Sequence, residues 1–433
     1  MSRKWLVAGG GISGLAAAQC LQARGRDYVL LERCPAVGGL TRTTQVEDFC
    51  FDYTGHFLHL RRYPSPGQVP YAHLNDDDWE TVERKSYFYA GGRLITAPIQ
   101  YHLGELPHDL RNACEASYDQ RPAPNGDVTG FRDFIVSGFG QVVADNFLIP
   151  QNEKTMATPL GRLSIGAVKR FFPLPDEKRI RAGFANTGEQ FAEYNSTFWY
   201  PKRGGIDVLT RGLAQGLTNV ATTEEIVRLD LHNRVATTSS GLSVAWEKMF
   251  PSIPLKALCG LSGDPELLDA ASKLSHSSTI SFNFGVRGKL PESLKDAHWV
   301  YVPDRDIPFY RFGCYSNISS AMASHGLNAV YVEVGVPGEE IDSVDIVSKT
   351  QAAVIRSLES LGWVKSQDII CAVTHVIRCA YVHHTPERDR LVEDILSRLN
   401  KVGIHPIGRY GLWDYVGMED SINSALSTVE AQL

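Results

Sequence analysis

The sequence predicts an α/β protein in which a nucleotide-binding domain is interleaved with a helical cap and with a second domain built on a β-sheet. Three observations favour this class. A glycine-rich turn joins an apolar strand to a helix at the start of the chain, strand-like alternation returns after residue 220, and helix-prone pieces interrupted by proline and glycine lie between. The 433 residues also exceed what one hydrophobic core usually serves, so about two domains are expected.

The first element is predicted as a strand over residues 4–8 that turns at once into a helix over about residues 13–23. Gly9 permits the tight turn, Gly11 lets the backbone approach a pyrophosphate, and Gly14 lets helix and strand pack closely. The helix N-terminus favours the negative charge of a phosphate. This turn therefore predicts a phosphate-binding loop.

A second strand over residues 28–31 ends in Glu32, whose carboxylate can accept hydrogen bonds from ribose hydroxyls. Strand, glycine turn, helix, strand and acidic residue together are typical of a Rossmann-type dinucleotide-binding unit. The alternative is a glycine-rich surface turn followed by a solvated glutamate.

Charge and cysteine content exclude several classes of protein. The formal net charge of -6 argues against a nucleic-acid binder, although a local basic pocket for an anion stays compatible with it. The eight cysteines lie far apart without a C-x-x-C pair, so we expect no metal site and no disulfide framework.

The uncharged residues 5–23 superficially resemble a signal peptide, but the glycines of the turn argue for the strand and helix instead. No other stretch is apolar enough to span a membrane. We therefore expect reduced thiols, a cytoplasmic location and no membrane partner.

The loop after Glu32 indicates which dinucleotide is bound. Gly38-Gly39-Leu40 resembles the second glycine pair of the large FAD family that contains amine oxidases and protoporphyrinogen oxidases. In that family the loop wraps the cofactor, whereas a plain dehydrogenase does not need it. The resemblance implies FAD.

The predicted FAD-binding domain is discontinuous and comprises residues 1–75, 200–275 and 395–433. Residues 76–199 are expected to form a helical cap with a mobile loop, and residues 276–394 a substrate-binding sheet domain. The patterns behind this division are a hairpin over 224–240, strands over 279–287 and 329–336, and a helix over 345–361.

Several further segments are similar, in sequence and order, to UDP-galactopyranose mutases, especially the larger eukaryotic-type ones. They are Phe51-Asp52-Tyr53-Thr54-Gly55-His56, Pro201-Lys202-Arg203-Gly204-Gly205, Gly285-Val286-Arg287-Gly288, Pro308-Phe309-Tyr310-Arg311 and Gly408-Arg409-Tyr410-Gly411-Leu412-Trp413-Asp414-Tyr415. The resemblance covers essentially the whole chain. The Pro-x-x-Gly-Gly and Gly-Arg segments belong to the wider FAD family, so they support the cofactor and not the reaction.

The resemblance implies a set of site residues. The implied cofactor contacts are Gly9, Gly11, Gly14, Glu32, Gly38, Gly39, Leu40, His56, Gly408, Arg409 and Met418. The residues implied in catalysis or substrate binding are His56, Gln100, Arg170, Asn195, Arg311, Tyr381 and Tyr415. Among these, Arg311 and Arg170 would grip a diphosphate, since guanidinium groups suit phosphate oxygens.

Each of these side chains also has a structural interpretation. Arg170 could be a solvated charge on an amphipathic helix, and Arg311 could form a structural salt bridge. His56 and the two tyrosines could be satisfied core groups.

The last helix is expected over residues 422–433, with Asp420 or Ser421 as its cap. By the resemblance, its N-terminus would point at the flavin. There its backbone N–H groups and dipole would stabilise an anionic reduced flavin.

In the mutases the reduced flavin acts as a nucleophile through N5 on the anomeric carbon of the sugar, and no net redox occurs. The resemblance thus implies an enzyme that interconverts pyranose and furanose forms of a nucleotide sugar and is active when FAD is reduced. NAD(P)H could supply the electrons by entering the substrate cleft, because no second dinucleotide fingerprint is evident. A homo-oligomer is compatible with the sequence.

Three departures from the mutase pattern bear on the substrate. In the mutases aromatic residues surround the uracil, whereas Ala97 and Ile99 occupy the matching segment of this sequence. A tyrosine that approaches the diphosphate in the mutases is replaced here by Ile318. We therefore favour a nucleotide sugar other than UDP-galactose. Two other functions share the cofactor motifs: a redox FAD enzyme of the amine oxidase or protoporphyrinogen oxidase type, and a flavin-binding protein without catalysis.

Overall fold

The protein is described by a computed structural model that covers residues 3–122, 128–167, 172–187 and 196–433. The strands are, in chain order, β1 (Lys4–Ala8), β2 (Tyr28–Leu31), β3 (Thr43–Val46), β4 (Phe49–Asp52), β5 (Trp79–Glu83), β6 (Ser86–Ala90), β7 (Arg93–Thr96), β8 (Thr197–Pro201), β9 (Val220–Ala221), β10 (Ile226–Asp230), β11 (Val235–Thr238), β12 (Ser243–Pro251), β13 (His276–Arg287), β14 (Trp299–Tyr301), β15 (Arg311–Cys314), β16 (Leu327–Pro337) and β17 (Ile369–Val382). The helices are α1 (Ile12–Ala23), α2 (His108–Asp119), α3 (Phe131–Phe139), α4 (Gln141–Val143), α5 (Ile149–Met156), α6 (Glu177–Ala185), α7 (Asp207–Ala214), α8 (Leu255–Ser262), α9 (Pro265–Ser272), α10 (Ile346–Ser360), α11 (Arg388–Lys401), α12 (Gly408–Gly411) and α13 (Met418–Glu430).

The first sheet has six strands in the order β10-β11-β12-β1-β2-β9. β1 pairs in parallel with β2 and β12, and α1 packs between this sheet and α13. The predicted strand, helix and strand at the start of the chain are confirmed, and the predicted hairpin over 224–240 is the β10–β11 pair. Returning β12 to the side of β1 completes the parallel core of a Rossmann-type domain.

The second sheet has seven strands in the order β17-β13-β16-β15-β14-β6-β7. On β13, Ile280, Phe282 and Phe284 belong to an apolar core on one face, whereas Ser281 and Asn283 lie on the other. The strands predicted over 279–287 and 329–336 are central in this sheet, and the predicted helix over 345–361 is α10. The apolar face of the seven-stranded sheet is covered by the rest of this apolar core, and the polar face lies towards the rest of the molecule.

The region between the two sheets is mixed rather than purely helical. α2 to α6 pack around an apolar core that also includes Phe88, Ala90 and Ile95 of β6 and β7. β6 and β7, however, come from the stretch 76–199 and join the seven-stranded sheet, with β6 parallel to β14. The β6–β7 hairpin thus connects the seven-stranded sheet with the apolar core of the helices, and the predicted division of the chain into domains stays a prediction.

Two further features concern the packing of α11 and the length of the helices. α11 packs against α9 of the nucleotide-binding domain through Leu391, Ile395 and Leu399. Within the described ranges, no helix combines the length and the apolar character needed to cross a lipid bilayer.

Candidate cofactor and ligand site

A large cavity of about 1530 Å³ connects the glycine turn after β1 with the polar face of the seven-stranded sheet and with the cap. Its walls include the Gly38 loop, the residues around His56, the strands β14 to β17, and the N-terminus of α13. The cavity thus joins the predicted cofactor residues to the predicted substrate residues.

The glycine turn forms a close-packed cradle. Gly9 has a φ of +99°, and a Cβ on Gly14 would lie 1.8 Å from the Gly9 carbonyl oxygen, so both positions require glycine. A Cβ on Gly39 would lie 3.0 Å from the Gly11 Cα. α1 begins at Ile12 without a side chain capping its N-terminus, which leaves that end suited to a phosphate group.

Glu32 stabilises the glycine turn through hydrogen bonds to backbone amides. Its buried carboxylate accepts hydrogen bonds from the Gly10 amide at 2.6 Å and from the Cys34 amide at 2.8 Å. The Gly38 amide in turn donates to the Gly10 carbonyl at 2.7 Å. Since a carboxylate has about four acceptor sites, Glu32 can still receive a ribose hydroxyl.

A row of register partners crosses the polar face of the seven-stranded sheet. Tyr301 on β14 pairs with Arg311 on β15, which pairs with Glu333 on β16; Glu333 and His375 both pair with Ser281 on β13. Directly opposite residues share a face, and all but Ser281 line the cavity. The sheet therefore places aromatic, cationic and acidic side chains in one line.

Arg311 and Glu333 form the centre of this row. The Arg311 Nε and Nη2 atoms donate to the two carboxylate oxygens of Glu333, each at 2.7 Å. Burial alone would raise the pKa of Glu333, but the Arg311 guanidinium holds it below its usual value. The structural salt bridge considered for Arg311 is present, and the Arg311 side chain also faces the cavity with 15% of its surface exposed.

His56 lies beside this pair. The Gly55 amide donates to Glu333 Oε1 at 3.2 Å, and Thr54 Oγ1 lies 3.0 Å from His56 Nδ1. Burial lowers the pKa of His56 to about 4; Glu333 opposes this shift, whereas Arg409 and Arg311 add to it. His56 is therefore neutral at physiological pH, and two cations and one anion surround it.

Arg409 is the second cation of the site, and it is half-buried. Its Nη2 donates to the Ala380 carbonyl at 2.7 Å, and its guanidinium lies over the rings of Tyr415, at 4.6 Å, and Tyr381, at 5.4 Å. Among the described residues no carboxylate pairs with Arg409, and its Nε has no hydrogen-bond partner. A half-buried cation without a carboxylate partner favours an anionic group in the cavity.

The N-terminus of α13 forms the adjoining wall. The helix begins at Met418, four residues before the predicted start, because Gly417 precedes it in extended conformation and its amide donates to Asp420 at 3.3 Å. Asp420 thus lies in the first turn and is not the preceding cap residue, and Ser421 hydrogen-bonds back to the Gly417 carbonyl. Glu419 is buried, and its Oε1 accepts from the Arg61 and Arg62 amides at 2.8 and 2.7 Å.

Most of the predicted site residues lie together. Those that line the cavity are Gly9, Gly11, Glu32, Gly38, Gly39, Leu40, His56, Arg311, Tyr381, Arg409, Tyr415 and Met418. Gly14 and Gly408 lie behind the wall and serve packing; a Cβ on Gly408 would lie 2.1 Å from Ser13 Oγ.

Of the other predicted substrate residues, Gln100 lies away from the cavity lining, and two are outside the part of the chain that the structure describes. Gln100 is buried with 2% exposure and does not line the cavity, because the short helical turn Ile99–Tyr101 directs Tyr101 there instead. Arg170 and Asn195 fall outside the described residues, so their assignments stay predictions.

Sequence reasoning missed Glu333, Tyr301 and His375. Glu333 did carry a signal, since it is the one charged residue in the strand predicted over 329–336. A charge inside an apolar strand is expected only with a buried partner. Tyr301 and His375 carried no comparable signal, because strand register brings them to the site.

The residues present fit a dinucleotide cofactor with an electron-rich ring system. Gly11 and Gly39 line the cavity beside the uncapped N-terminus of α1, which suits a pyrophosphate, and Glu32 lies where a ribose would be recognised. Arg409 supplies positive charge at the other end of the same cavity, where α13 begins with its acidic first turn.

Comparisons with known proteins agree with this fold. A family model for an NAD(P)-binding Rossmann-like domain matches residues 7–66. A crystal structure of reduced UDP-galactopyranose mutase superposes with a TM-score of 0.91 at 24% identity, covering 100% of this chain and 95% of that chain.

Two oxidase-type structures share the fold at lower similarity. A candidate protoporphyrinogen oxidase from Exiguobacterium sp. 255-15 gives a TM-score of 0.75 at 16% identity, covering 100% of this chain and 99% of the other. Cyclohexylamine oxidase from Brevibacterium oxydans gives 0.68 at 12%, covering 100% and 98%. The predicted resemblance to the mutases is thus confirmed at the level of fold, and the oxidase-type structures share this fold.

Proposed function

We propose that this protein is an FAD-dependent enzyme that interconverts pyranose and furanose forms of a nucleotide sugar without net redox change. The observation that carries the proposal is the charge of the site. Neutral His56 is surrounded by Arg311, Arg409 and Glu333, and these three charged groups together carry one net positive charge beside it. Such a site favours an anionic ligand and opposes the cationic substrate of an amine oxidase.

The division of labour among the residues follows from their positions. When bound, reduced FAD would supply the nucleophile, so the protein need only bind, orient and exclude water. The cradle around Gly11 and the carboxylate of Glu32 would hold the dinucleotide. Arg409 and the dipole of α13 would favour the reduced, anionic state of its ring system, against the opposing charges of Glu419 and Asp420 in the first turn of that helix.

Arg311 would bind the diphosphate through the part of its guanidinium that Glu333 does not use. Nε and Nη2 are engaged in the ion pair, whereas the two N–H groups of Nη1 are not part of it. Holding one edge of the guanidinium fixed pre-organises the other edge for a phosphate oxygen. Tyr381 and Tyr415, whose rings meet at 5.4 Å, would bound the sugar.

The overall similarity also supports this proposal. The mutase structure matches the chain end to end with a higher TM-score than either oxidase-type structure. The sequence segments that resemble the mutases contribute Arg311, His56 and Tyr415 to one cavity.

The test is anaerobic incubation of dithionite-reduced protein with UDP-, GDP- and TDP-sugars, followed by chromatography for ring isomers of unchanged mass. A mutase interconverts substrate and product without consuming stoichiometric reductant or oxygen. An oxidase of the amine oxidase type instead reduces the flavin with its substrate and forms hydrogen peroxide in air. Peroxide formed one for one with product would refute the proposal.

A further inference from the structure

The turn that ends α12 has an unusual residue at its centre. The Trp413 amide donates to the Tyr410 carbonyl at 3.3 Å and the Asp414 amide donates to the Arg409 carbonyl at 2.9 Å, which is the Schellman arrangement found at many helix ends. The left-handed position of this arrangement is usually occupied by glycine. Here it is occupied by Trp413, which has a φ of +50° and a fully buried side chain. We call residues 409–415 the Trp413 turn.

The backbone of the Trp413 turn is strained, because left-handed backbone is unfavourable for a bulky side chain. Glycine would remove the strain but would leave the space of the tryptophan ring empty. That ring lines the cavity, and its centre lies 5.7 Å from the centre of the His276 ring. Strain of this kind persists only where the surroundings fix the conformation, and it is concentrated at ligand sites. The contacts that hold the turn therefore bear on the function of the cavity.

Arg388, at the start of α11, holds the turn from outside the cavity. Its Nε donates to the Trp413 carbonyl at 3.0 Å, and its Nη2 donates to the Leu412 carbonyl at 3.2 Å. Carbonyl groups at a helix end have no partner within the helix, and an arginine side chain can satisfy them. The Arg388 side chain is itself fixed, because it is 12% exposed and its Nη1 donates to Asp389 Oδ1 at 2.8 Å. α11 in turn is anchored in the apolar core of the nucleotide-binding domain.

The two ends of the Trp413 turn carry side chains that line the cavity. Arg409 lies at its start and Tyr415 at its end, with the guanidinium carbon 4.6 Å from the centre of the Tyr415 ring. Asp414 Oδ1 accepts from the Tyr415 amide at 2.8 Å and lies 3.2 Å from His384 Nε2. The conformation of the turn thus sets the direction of both cavity side chains.

We propose that Arg388 is a positioning residue, which holds the left-handed Trp413 turn and thereby keeps the Arg409 guanidinium at the end of the cavity where α13 begins. The inference rests on the FAD binding that the proposed function includes, and not on the reaction. The positive charge of Arg409 favours an anionic reduced flavin, and the interaction of two charges weakens with distance. Without Arg388 the turn relaxes, Arg409 is displaced, and the reduced state of FAD is less favoured.

The midpoint potential of bound FAD tests this role, because a residue that only stabilises the fold does not change it. Arg388→Met keeps the apolar stem but donates no hydrogen bond. We expect it to lower the ratio of reduced to oxidised FAD about threefold, which is a fall of about 14 mV for a two-electron couple. Arg388→Lys should give an intermediate potential, since its ammonium group can still donate to one carbonyl. Arg390→Met, which removes an exposed arginine from the same helix, is the matched control and should leave the potential unchanged.

A double-mutant cycle shows whether Arg388 acts through Arg409. In an Arg409→Met background no guanidinium is left for the turn to position, so adding Arg388→Met should lower the potential no further. An equal fall in both backgrounds would overturn the proposal, because it would reveal a direct effect of the Arg388 charge on the flavin.

An unchanged potential in Arg388→Met, with urea denaturation showing that the variant is folded, would also overturn the proposal. If Arg388→Met does not fold, Arg388→Lys decides in its place, and a wild-type potential in that variant counts against the role of Arg388. The outcome is separate from that of the sugar assay. A wild type that fails to interconvert sugars while its variants show the expected potentials would refute the proposed function and leave the role of Arg388 intact.

Discussion

Arg311 and Glu333 are register partners on adjacent antiparallel strands, and they meet through two parallel hydrogen bonds over the floor of the cavity. Glu333 also receives the amide of Gly55, so one buried carboxylate fixes both the cation and the loop that carries His56. The pair therefore links the predicted diphosphate anchor to the predicted cofactor loop.

Breaking this pair should destabilise the protein. Arg311→Met leaves the Glu333 charge buried and unpaired, which should lower the free energy of unfolding by about 3–5 kcal/mol. The double variant Arg311→Met/Glu333→Leu should recover most of that loss, because no buried charge is left. Urea denaturation of the wild type, both single variants and the double variant measures these energies.

The double variant also separates stability from ligand binding. It should retain FAD and bind UDP much more weakly than the wild type. Unchanged stability in Arg311→Met would contradict the energetic role of the pair, and unchanged UDP affinity in the double variant would remove Arg311 from the ligand site.

Glu32 should control retention of FAD. Glu32→Ala removes the acceptor of the Gly10 and Cys34 amides together with the proposed ribose contact, so FAD affinity should fall about 10- to 100-fold. Glu32→Gln keeps one acceptor oxygen, so its FAD affinity should lie between those of the wild type and of Glu32→Ala. The ratio of visible flavin absorbance to protein after gel filtration measures retention, and a Glu32→Ala protein that retains FAD fully would contradict the assignment.

The acidic first turn of α13 should lower the midpoint potential of the flavin. Glu419→Gln removes a negative charge from the helix N-terminus that lines the cavity, so it should stabilise the anionic reduced flavin and raise the midpoint potential by about 10–20 mV. Glu430→Gln, at the exposed end of the same helix, is the control and should leave the potential unchanged. Equilibration with a reference redox dye gives the midpoint potentials of both variants. A lowered potential in Glu419→Gln would contradict the prediction that the Glu419 charge destabilises the anionic reduced flavin.

Stability should fall as the pH is lowered from 7 to 5. Burial lowers the pKa to about 4 in five histidines, namely His56, His59, His298, His375 and His405. With an unfolded value of about 6.5, the unfolded chain binds more protons between pH 4 and 6.5, so the free energy of unfolding rises with pH in that window. The pKa of Asp52, which burial raises to about 7, works in the opposite direction but is a single group.

Chemical denaturation at pH 5, 6 and 7 checks the direction of this dependence. His298→Asn should flatten it, since the amide can still accept from the Lys85 backbone while it does not titrate. His108→Asn, at an exposed histidine, should leave it unchanged. Equal stability at pH 5 and pH 7 would show that the buried histidines are not the controlling groups.

The sequence by itself determined the nucleotide-binding unit. The spacing of Gly9, Gly11, Gly14 and Glu32 predicts the strand, turn and helix because each glycine answers a local steric requirement that neighbouring residues impose. The alternation of Ile280, Phe282 and Phe284 likewise predicts the strand and its buried face, since side chains alternate along any strand. Such features depend on residues that are close in sequence.

Only the tertiary structure decided how the site is composed. Pairing of β14, β15, β16 and β17 with their neighbours brings Tyr301, Arg311, Glu333 and His375 into one row, and the turn after β7 turns Gln100 away and Tyr101 towards the cavity. Strand register and sheet order depend on contacts between residues far apart in the chain. A shift of one residue would reverse which side chains face the cavity, and no local pattern in the sequence fixes that choice.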